Sequence, residues 1–384
     1  MHTTDSGTPD AGMSHDERVS RHQEVSRTLA SYRDRHLDQA LAHARALGSG
    51  IGGTSALLHV GDVPVFVKRI PLTDLERHPD NVMSTANLFG LPPMCQYGVV
   101  AVGSPGFGAW RELAAHTTTT EWVLAGRSAA FPLLYHWRVR PGAPPPADEH
   151  ADIERAVAYW GGSPAVRDRL HALARASASL VLFAEFVPHT LRDWLAAQVT
   201  AGPDAVAAAC VLLESRLPTD LAFLNTNGLM HFDAHFGNIL TDGRRLYLTD
   251  FGLATSPRFD LSTQETDFLA RNRTHDLGYA LMGLVNWLVT TVCGIPVPRH
   301  GGPARRNEYI RACAAGAEPV GAPPRIAATI RRYAPVAAAM NDFYWDLFGV
   351  SRATPYPTET VERTLRAIPG LAYPPTVALD RQTS

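Results

Sequence analysis

Two short apolar runs, Ile239-Leu240 and Leu246-Tyr247-Leu248, flank a polar turn at Asp242-Gly243. That pattern reads as a β-hairpin. Its two ends carry chemistry. Asn238 stands at the start of the first strand and Asp250 just past the end of the second, so hairpin closure brings them together. Asp233 lies in the loop five positions before Asn238. Three oxygen-bearing side chains from separate stretches therefore converge on one point. Taken singly, an Asp-Phe-Gly is commonly only a turn, and Asp233 alone could be a turn residue or a helix cap. Their co-occurrence at hairpin spacing reverses that balance. Hard oxygen donors suit Mg²⁺, and a separate carboxylate can accept a proton from an attacking hydroxyl. His231 and His235 also make an H-x-x-x-H spacing, which zinc enzymes use on a helix. Gly237 and the strand that follows place this pair in a loop, which disfavours zinc.

The rest of the chain supplies a frame for this hairpin. The 384 residues are 45% hydrophobic, with 35 Lys+Arg against 37 Asp+Glu. This composition excludes wholesale disorder, and the balanced charge argues against binding nucleic acid by counterion release. No apolar run is long and unbroken enough to span a bilayer, and the first residues lack a signal-peptide core. Cys95, Cys210, Cys293 and Cys313 are scattered, as free thiols of a cytoplasmic protein would be. Residues 1–13 read as a disordered tail and 371–384 as a C-terminal tail. Residues 14–47 read as a helical extension that Ser14 and Glu17 open as a capping box and Gly48 ends. A strand, a Gly61-Asp62 turn and a second strand follow up to Ile70. Residues 71–106 show no period and read as an insertion. A helix is expected over 108–124, strands over Phe131–Val139 and Leu180–Val187, and helical stretches over 148–177 and 204–227. From about 265 onward the pattern is helical. The expectation is an α+β protein with a β-rich first part and an α-helical second part.

The segment His231-Phe-Asp233-Ala-His235-Phe-Gly-Asn238, followed by Asp250-Phe251-Gly252, resembles the catalytic and metal loops of the protein-kinase-like superfamily. That resemblance implies a two-lobed fold with a small β-rich lobe (48–187, with insertions near 71–106 and 142–178) and a larger helical lobe (188–370). It implies Asp233 as catalytic base, Asn238 and Asp250 as magnesium ligands, and His231 as a support of the loop. It also implies an ATP site upstream. Gly48-Ser-Gly50-Ile-Gly-Gly53 resembles the glycine-rich loop, and Val65-Phe66-Val67-Lys68 the strand whose lysine contacts the α- and β-phosphates. The lysine's partner is expected to be Glu112, with Glu121 as runner-up. Residues 179–195 resemble the fifth strand, hinge and next helix, so backbone groups from Glu185 to Val187 would bond adenine whatever their side chains. Asp276 resembles the residue that braces the catalytic loop, and a helix cap is its alternative.

Three departures bear on the acceptor. Phe232 stands where many regulated protein kinases carry an arginine that grips an activation-loop phosphate. His235 stands where they carry lysine, and resembles the aminoglycoside- and choline-kinase branch; a histidine there could touch the γ-phosphate. The stretch from Asp250 to Asp276 is short and has no A-P-E. Against these, the glycine loop and Asp250-Phe-Gly-Leu-Ala look closer to protein kinases. The reading favours ATP- and Mg²⁺-dependent transfer to Ser/Thr of a protein. A small-molecule hydroxyl acceptor is the alternative, and a nucleotide-binding pseudokinase acting as an interaction module is the alternative of another class. Residues 142–178 and 255–275 are expected to shape the acceptor cleft.

Overall fold

The structure, a computed structural model, describes residues 13–98, 102–298 and 302–371. The two expected tails fall outside these residues except for Met13 and Leu371. The chain is α+β, with a small antiparallel sheet region followed by a larger helical region.

The N-terminal stretch forms two helices rather than the expected one, α1 (His15–Ser31) and α2 (Asp34–His43). The Ser14–Glu17 capping box opens α1 as its spacing predicts. The break follows from a partner distant in sequence. Arg138 donates to the Tyr32 carbonyl at 2.8 Å and to the Ala30 carbonyl at 3.3 Å, and also meets Asp34. These carbonyls at the end of α1 have no helical donors, so an external guanidinium satisfies them and stops the helix. Gly48 does not end a helix. It lies within β1 (Arg45–Gly50), which is exposed throughout.

Next come β2 (Gly53–Val60) and β3 (Val63–Leu72), joined at the Gly61-Asp62 turn with Val60 paired to Val63. Residues 73–98 hold only the short helix α3 (Asp74–Arg77) and two 3-10 turns, in keeping with the absence of a period. Helix α4 (Ala109–Leu124) accommodates its threonine run because the hydroxyls of Thr117 and Thr118 donate to carbonyls four residues back. Strand β4 (Leu134–Pro141) precedes α5 (Ile153–Tyr159) and α6 (Pro164–Ala174), and β5 (Ala178–Glu185) completes the sheet. Both β4 and β5 start and end within a few residues of the expected positions. The strand order is β1-β2-β3-β5-β4, all antiparallel.

Every residue of β5 is buried because both faces of the sheet are covered. On one face Ile70, Leu72, Leu180 and Leu182 pack with Ala109, Trp110 and Leu113 of α4. On the other, Val65, Val67, Val181 and Phe183 join the main core with Val25, Leu29 and Leu37 of α1 and α2. Strand alternation puts Lys68 on the α4 face with Ile70 and Leu72. This phase relation aims Lys68 at Glu112.

The helical region contains β6 (His189–Thr190), α7 (Leu191–Ala201), α8 (Pro203–Thr226), β7 (Ile239–Thr241), β8 (Leu246–Leu248) and α9 (Thr263–Arg271). It is completed by α10 (His275–Thr291), α11 (Ala304–Ala314), α12 (Pro324–Gly349) and α13 (Thr358–Arg366). Strands β6, β7 and β8 form a second, three-stranded sheet. Buried residues of α8, α10 and α12 dominate the core here. No helix among the described residues is long and apolar enough to cross a membrane. All four cysteines are free thiols.

Helix α1 ties the two regions together. Arg18 is buried and holds both carboxylate oxygens of Glu185, at 3.0 and 2.5 Å, and also the Phe131 carbonyl at 2.8 Å. Its guanidinium lies 5.5 Å from the Tyr247 ring centroid, and Arg245 donates to the Met13 carbonyl. Arg18→Ala leaves a buried carboxylate without its cation, which costs about 3–5 kcal/mol. Urea unfolding of this variant is expected to show that loss, with the m-value unchanged.

Candidate active site

The β7–β8 hairpin forms as its sequence requires, with Ile239 opposite Leu248 and Thr241 opposite Leu246. Asp242 Oδ1 accepts from the amides of Arg244 and Arg245 and fixes the turn. The ladder extends one step further, because the Thr249 amide donates to the Asn238 carbonyl at 3.1 Å. Asn238 and Asp250 are thereby held at the same end of the hairpin.

The 231–238 loop is pinned from beneath. Asp276, fully buried in the first turn of α10, accepts the His231 amide at 2.7 Å and the Phe232 amide at 2.8 Å. Asn225 adds a third bond to it at 2.8 Å. Asp276 is thus a brace of this loop; the cap position of α10 belongs to Thr274. Burial pushes the Asp276 carboxyl up, but its bond to His275 and the loop donors bring it below its usual range. The His231 ring bonds the Thr249 carbonyl at 2.9 Å and joins the loop to the hairpin. Phe232 and Asp250 both adopt left-handed φ, 61° and 62°. For non-glycine residues this costs on the order of 1–3 kcal/mol each and persists only where surrounding bonds enforce it.

Lys68 reaches into this end of the hairpin. Its Nζ lies 2.6 Å from Glu112 Oε1 and 2.7 Å from Asp250 Oδ1. Glu112 is the partner on α4; Glu121, the runner-up, lies exposed toward the far end of that helix. Asn238 Nδ2 donates to Asp233 Oδ2 at 3.0 Å and to the Asp233 carbonyl at 3.1 Å. That orientation turns the amide oxygen of Asn238 away from Asp233. His235 Nε2 stands 3.9 Å from Asp233 Oδ2, while its Nδ1 accepts the Gly237 amide. His231 and His235 therefore serve different partners in a loop. Among the described residues no group of three or more His, Cys, Asp or Glu side chains could hold a metal.

The electrostatics separate the carboxylates into distinct roles. Burial alone would raise Asp250, but the Lys68 ammonium overrides it and holds the carboxyl at about 2. Burial, with the Asp250 charge adding to it, pushes Asp233 up to about 8. Burial lifts Glu112 to about 7 against the pull of Lys68. Lys68 itself is raised: burial lowers it, and the charges of Asp250 and Glu112 outweigh that. Burial and Arg192 lower His235 to about 4, so its ring is neutral at physiological pH. The site thus combines a fixed ammonium, a permanent carboxylate with an accessible face (42% exposed) and a neighbouring carboxyl that holds its proton until about pH 8. Asp250 and Asn238, at the same end of the hairpin, carry hard oxygen donors of the kind Mg²⁺ takes beside phosphates and water.

The glycine pattern is only partly placed as expected. A Cβ at Gly48 or Gly50 would meet nothing within 4 Å. Gly53 is needed for another reason: its φ is 116°, and a Cβ there would sit 2.0 Å from the Arg69 carbonyl of β3. The residue that comes over the site is Gly52, a filler position in the pattern. A Cβ there would approach Lys68 Nζ to 2.9 Å. A second glycine, Gly98, was not signalled by any motif, yet its backbone lies against Asp233.

In the expected adenine strip, one backbone group and one side chain have partners within the chain. The Glu185 amide donates to the Leu133 carbonyl at 2.8 Å and is not free for a ligand. The Glu185 side chain, expected to be immaterial, is the carboxylate that Arg18 and the Leu133 amide hold. Val187 is buried.

Residues 142–178 lie behind the β1–β2 turn, where Pro145, His150 and Leu170 line a cavity of about 100 Å³ with Gly50 and Ile51. A larger groove of about 390 Å³ runs between residues 86–93 and 260–265. Comparison with models of known protein families and with curated protein sequences finds no match for this chain.

Proposed function

We propose that this chain is an ATP- and Mg²⁺-dependent phosphotransferase with a two-lobed protein-kinase-like fold. It moves the γ-phosphate of ATP to an acceptor hydroxyl, with Ser/Thr of a protein as the favoured acceptor. One observation carries the reading. Lys68 touches both Glu112 and Asp250, and Asp233 and Asn238 are joined at the same end of the hairpin. Residues separated by up to 182 positions converge on a combination that phosphoryl transfer needs: a cation for phosphate oxygens, oxygen donors for a metal, and a base.

In this reading Lys68 binds and orients the α- and β-phosphates beneath the Gly52 backbone. Glu112 keeps the ammonium in place. Asp250 and Asn238 would hold Mg²⁺, whose contribution when bound is to neutralise phosphate charge. Asp233 aligns the acceptor hydroxyl and receives its proton at the carboxylate. Most of the rate gain comes from positioning and preorganised charge.

A small-molecule acceptor is the second reading. It is favoured by the neutral His235 ring beside Asp233, where a permanent cation would otherwise stand. Incubation with γ-labelled ATP, Mg²⁺ and host lysate, fractionated into protein and metabolite pools, tests both. Label in the protein pool supports the favoured acceptor, and label in the metabolite pool supports the second. ATP/Mg²⁺ stabilisation with no ADP formed and no label in either pool would leave a pseudokinase.

A further inference from the structure

The segment 93–98 leaves the sheet region and crosses to the helical region beside Asp233. Its anchors lie on both sides. Ser104 Oγ donates to the Cys95 carbonyl at 2.6 Å. Gln96 Nε2 donates to the Leu253 carbonyl, three residues beyond Asp250. Tyr97 is buried, and its hydroxyl donates to Asn272 Oδ1 at 2.6 Å. The Tyr97 ring lies 5.2 Å from Phe268, 5.4 Å from His275 and 5.3 Å from Phe343, and meets Phe232 edge-on at 6.3 Å. Gly98 follows directly. A Cβ on it would stand 2.0 Å from Asp233 Oδ1 and 2.6 Å from its carboxyl carbon. The φ of Gly98 is not left-handed, so the requirement for glycine here is one of space and not of backbone conformation.

We propose that Gln96, Tyr97 and Gly98 are positioning residues of the transfer site: a built-in brace that fixes the Asp233 carboxylate and the Asp250 loop without any modification of the protein. The proposal rests on the phosphotransferase reading. Asp233 is clasped from two sides, by Asn238 Nδ2 on Oδ2 and by the Gly98 backbone against Oδ1. Phe232, where a regulated kinase would present an arginine to a phosphate, instead presents a ring to the Tyr97 cluster. An apolar contact that is always made takes the place of a charge-dependent one.

Gly98→Ala tests this with one methyl group. The added Cβ must push the carboxylate off its position, and a displacement of about 1 Å at a reacting group lowers rate about 100-fold. The expected result is a kcat about 100-fold below wild type, with KM for ATP and Mg·ATP affinity within threefold and the melting temperature unchanged. A kcat within threefold of wild type would overturn the brace. If Gly98→Ala shows no cooperative melt, Tyr97→Phe replaces it, since only the bond to Asn272 is lost. A kcat three- to tenfold lower at unchanged ATP affinity supports the brace, and an unchanged kcat overturns it. If wild-type protein turns over no ATP, the phosphotransferase reading fails and the brace is judged from crystal structures alone. In Gly98→Ala crystals a displaced Asp233 carboxylate with residues 96–98 in place supports it. Residues 96–98 lifted away with Asp233 unmoved overturns it.

Discussion

Asp233→Asn is expected to lower phosphate transfer by about 10³- to 10⁴-fold while Mg·ATP still binds. The magnitude is the upper range for loss of a general base. The separation from binding follows from geometry: Lys68 bonds Glu112 and Asp250, not Asp233. An asparagine at 233 can still accept from Asn238 Nδ2, so the loop keeps its shape. Two further readouts sharpen the test. The Asp233 carboxyl is held up at about 8 in the ligand-free chain by burial and by the Asp250 charge. A base must be deprotonated, so kcat/KM of the wild type is expected to climb through neutral pH and level off above about 8. The asparagine variant lacks that limb. The stability effect has the opposite sign. An unfolded Asp releases its proton near 4, whereas the folded one keeps it until about 8. Stability is therefore complete at acid pH and falls as pH rises between those values. Removing the carboxylate is expected to stabilise the fold at pH 8 by about 1–2 kcal/mol. Wild-type turnover by Asp233→Asn would refute the base assignment.

Asp250→Asn has the other large expected effect, and its signature differs. In the proposed mechanism Asp250 has two roles: it neutralises Lys68 at 2.7 Å and would turn its exposed carboxylate face to Mg²⁺. With asparagine, the hard anionic donor is gone and Lys68 is left with Glu112 alone. Metal-dependent ATP affinity is expected to fall at least 100-fold, and turnover to drop below detection. Titration calorimetry with ATP at fixed Mg²⁺, and again with EDTA, reads this directly. Wild type should lose affinity when Mg²⁺ is removed, whereas Asp250→Asn should bind weakly in both. Equal Mg²⁺ dependence in the two proteins would remove Asp250 from the metal site.

The parts of this site that could be read in the sequence are those fixed by local geometry. A hairpin of known turn type joins Asn238 to Asp250 whatever surrounds it. Alternation along β3 and the helical phase of α4 aim Lys68 and Glu112 at one another across 44 residues. What stayed hidden depends on partners far along the chain. The break between α1 and α2 is made by Arg138, more than a hundred positions away. Local propensity over 14–47 favours one continuous helix and carries no sign of it. The glycine pattern assigns weight to the neighbours of Gly52, yet which glycine comes over Lys68 is set by the β1–β2 register. Gly98 lies in an irregular stretch without a motif, and its need for a bare backbone exists only because Asp233 is folded against it. The part played by the Glu185 side chain is hidden for the same reason: its partner Arg18 sits on a helix 167 positions away.

A crystal structure with Mn²⁺ and a non-hydrolysable ATP analogue would test the convergence of these residues most directly. The account predicts an anomalous peak bonded to Asp250 and the Asn238 oxygen, Lys68 on the α- and β-phosphates, and the terminal phosphate turned toward Asp233. A nucleotide bound elsewhere, or a metal peak touching neither Asp250 nor Asn238, would contradict it.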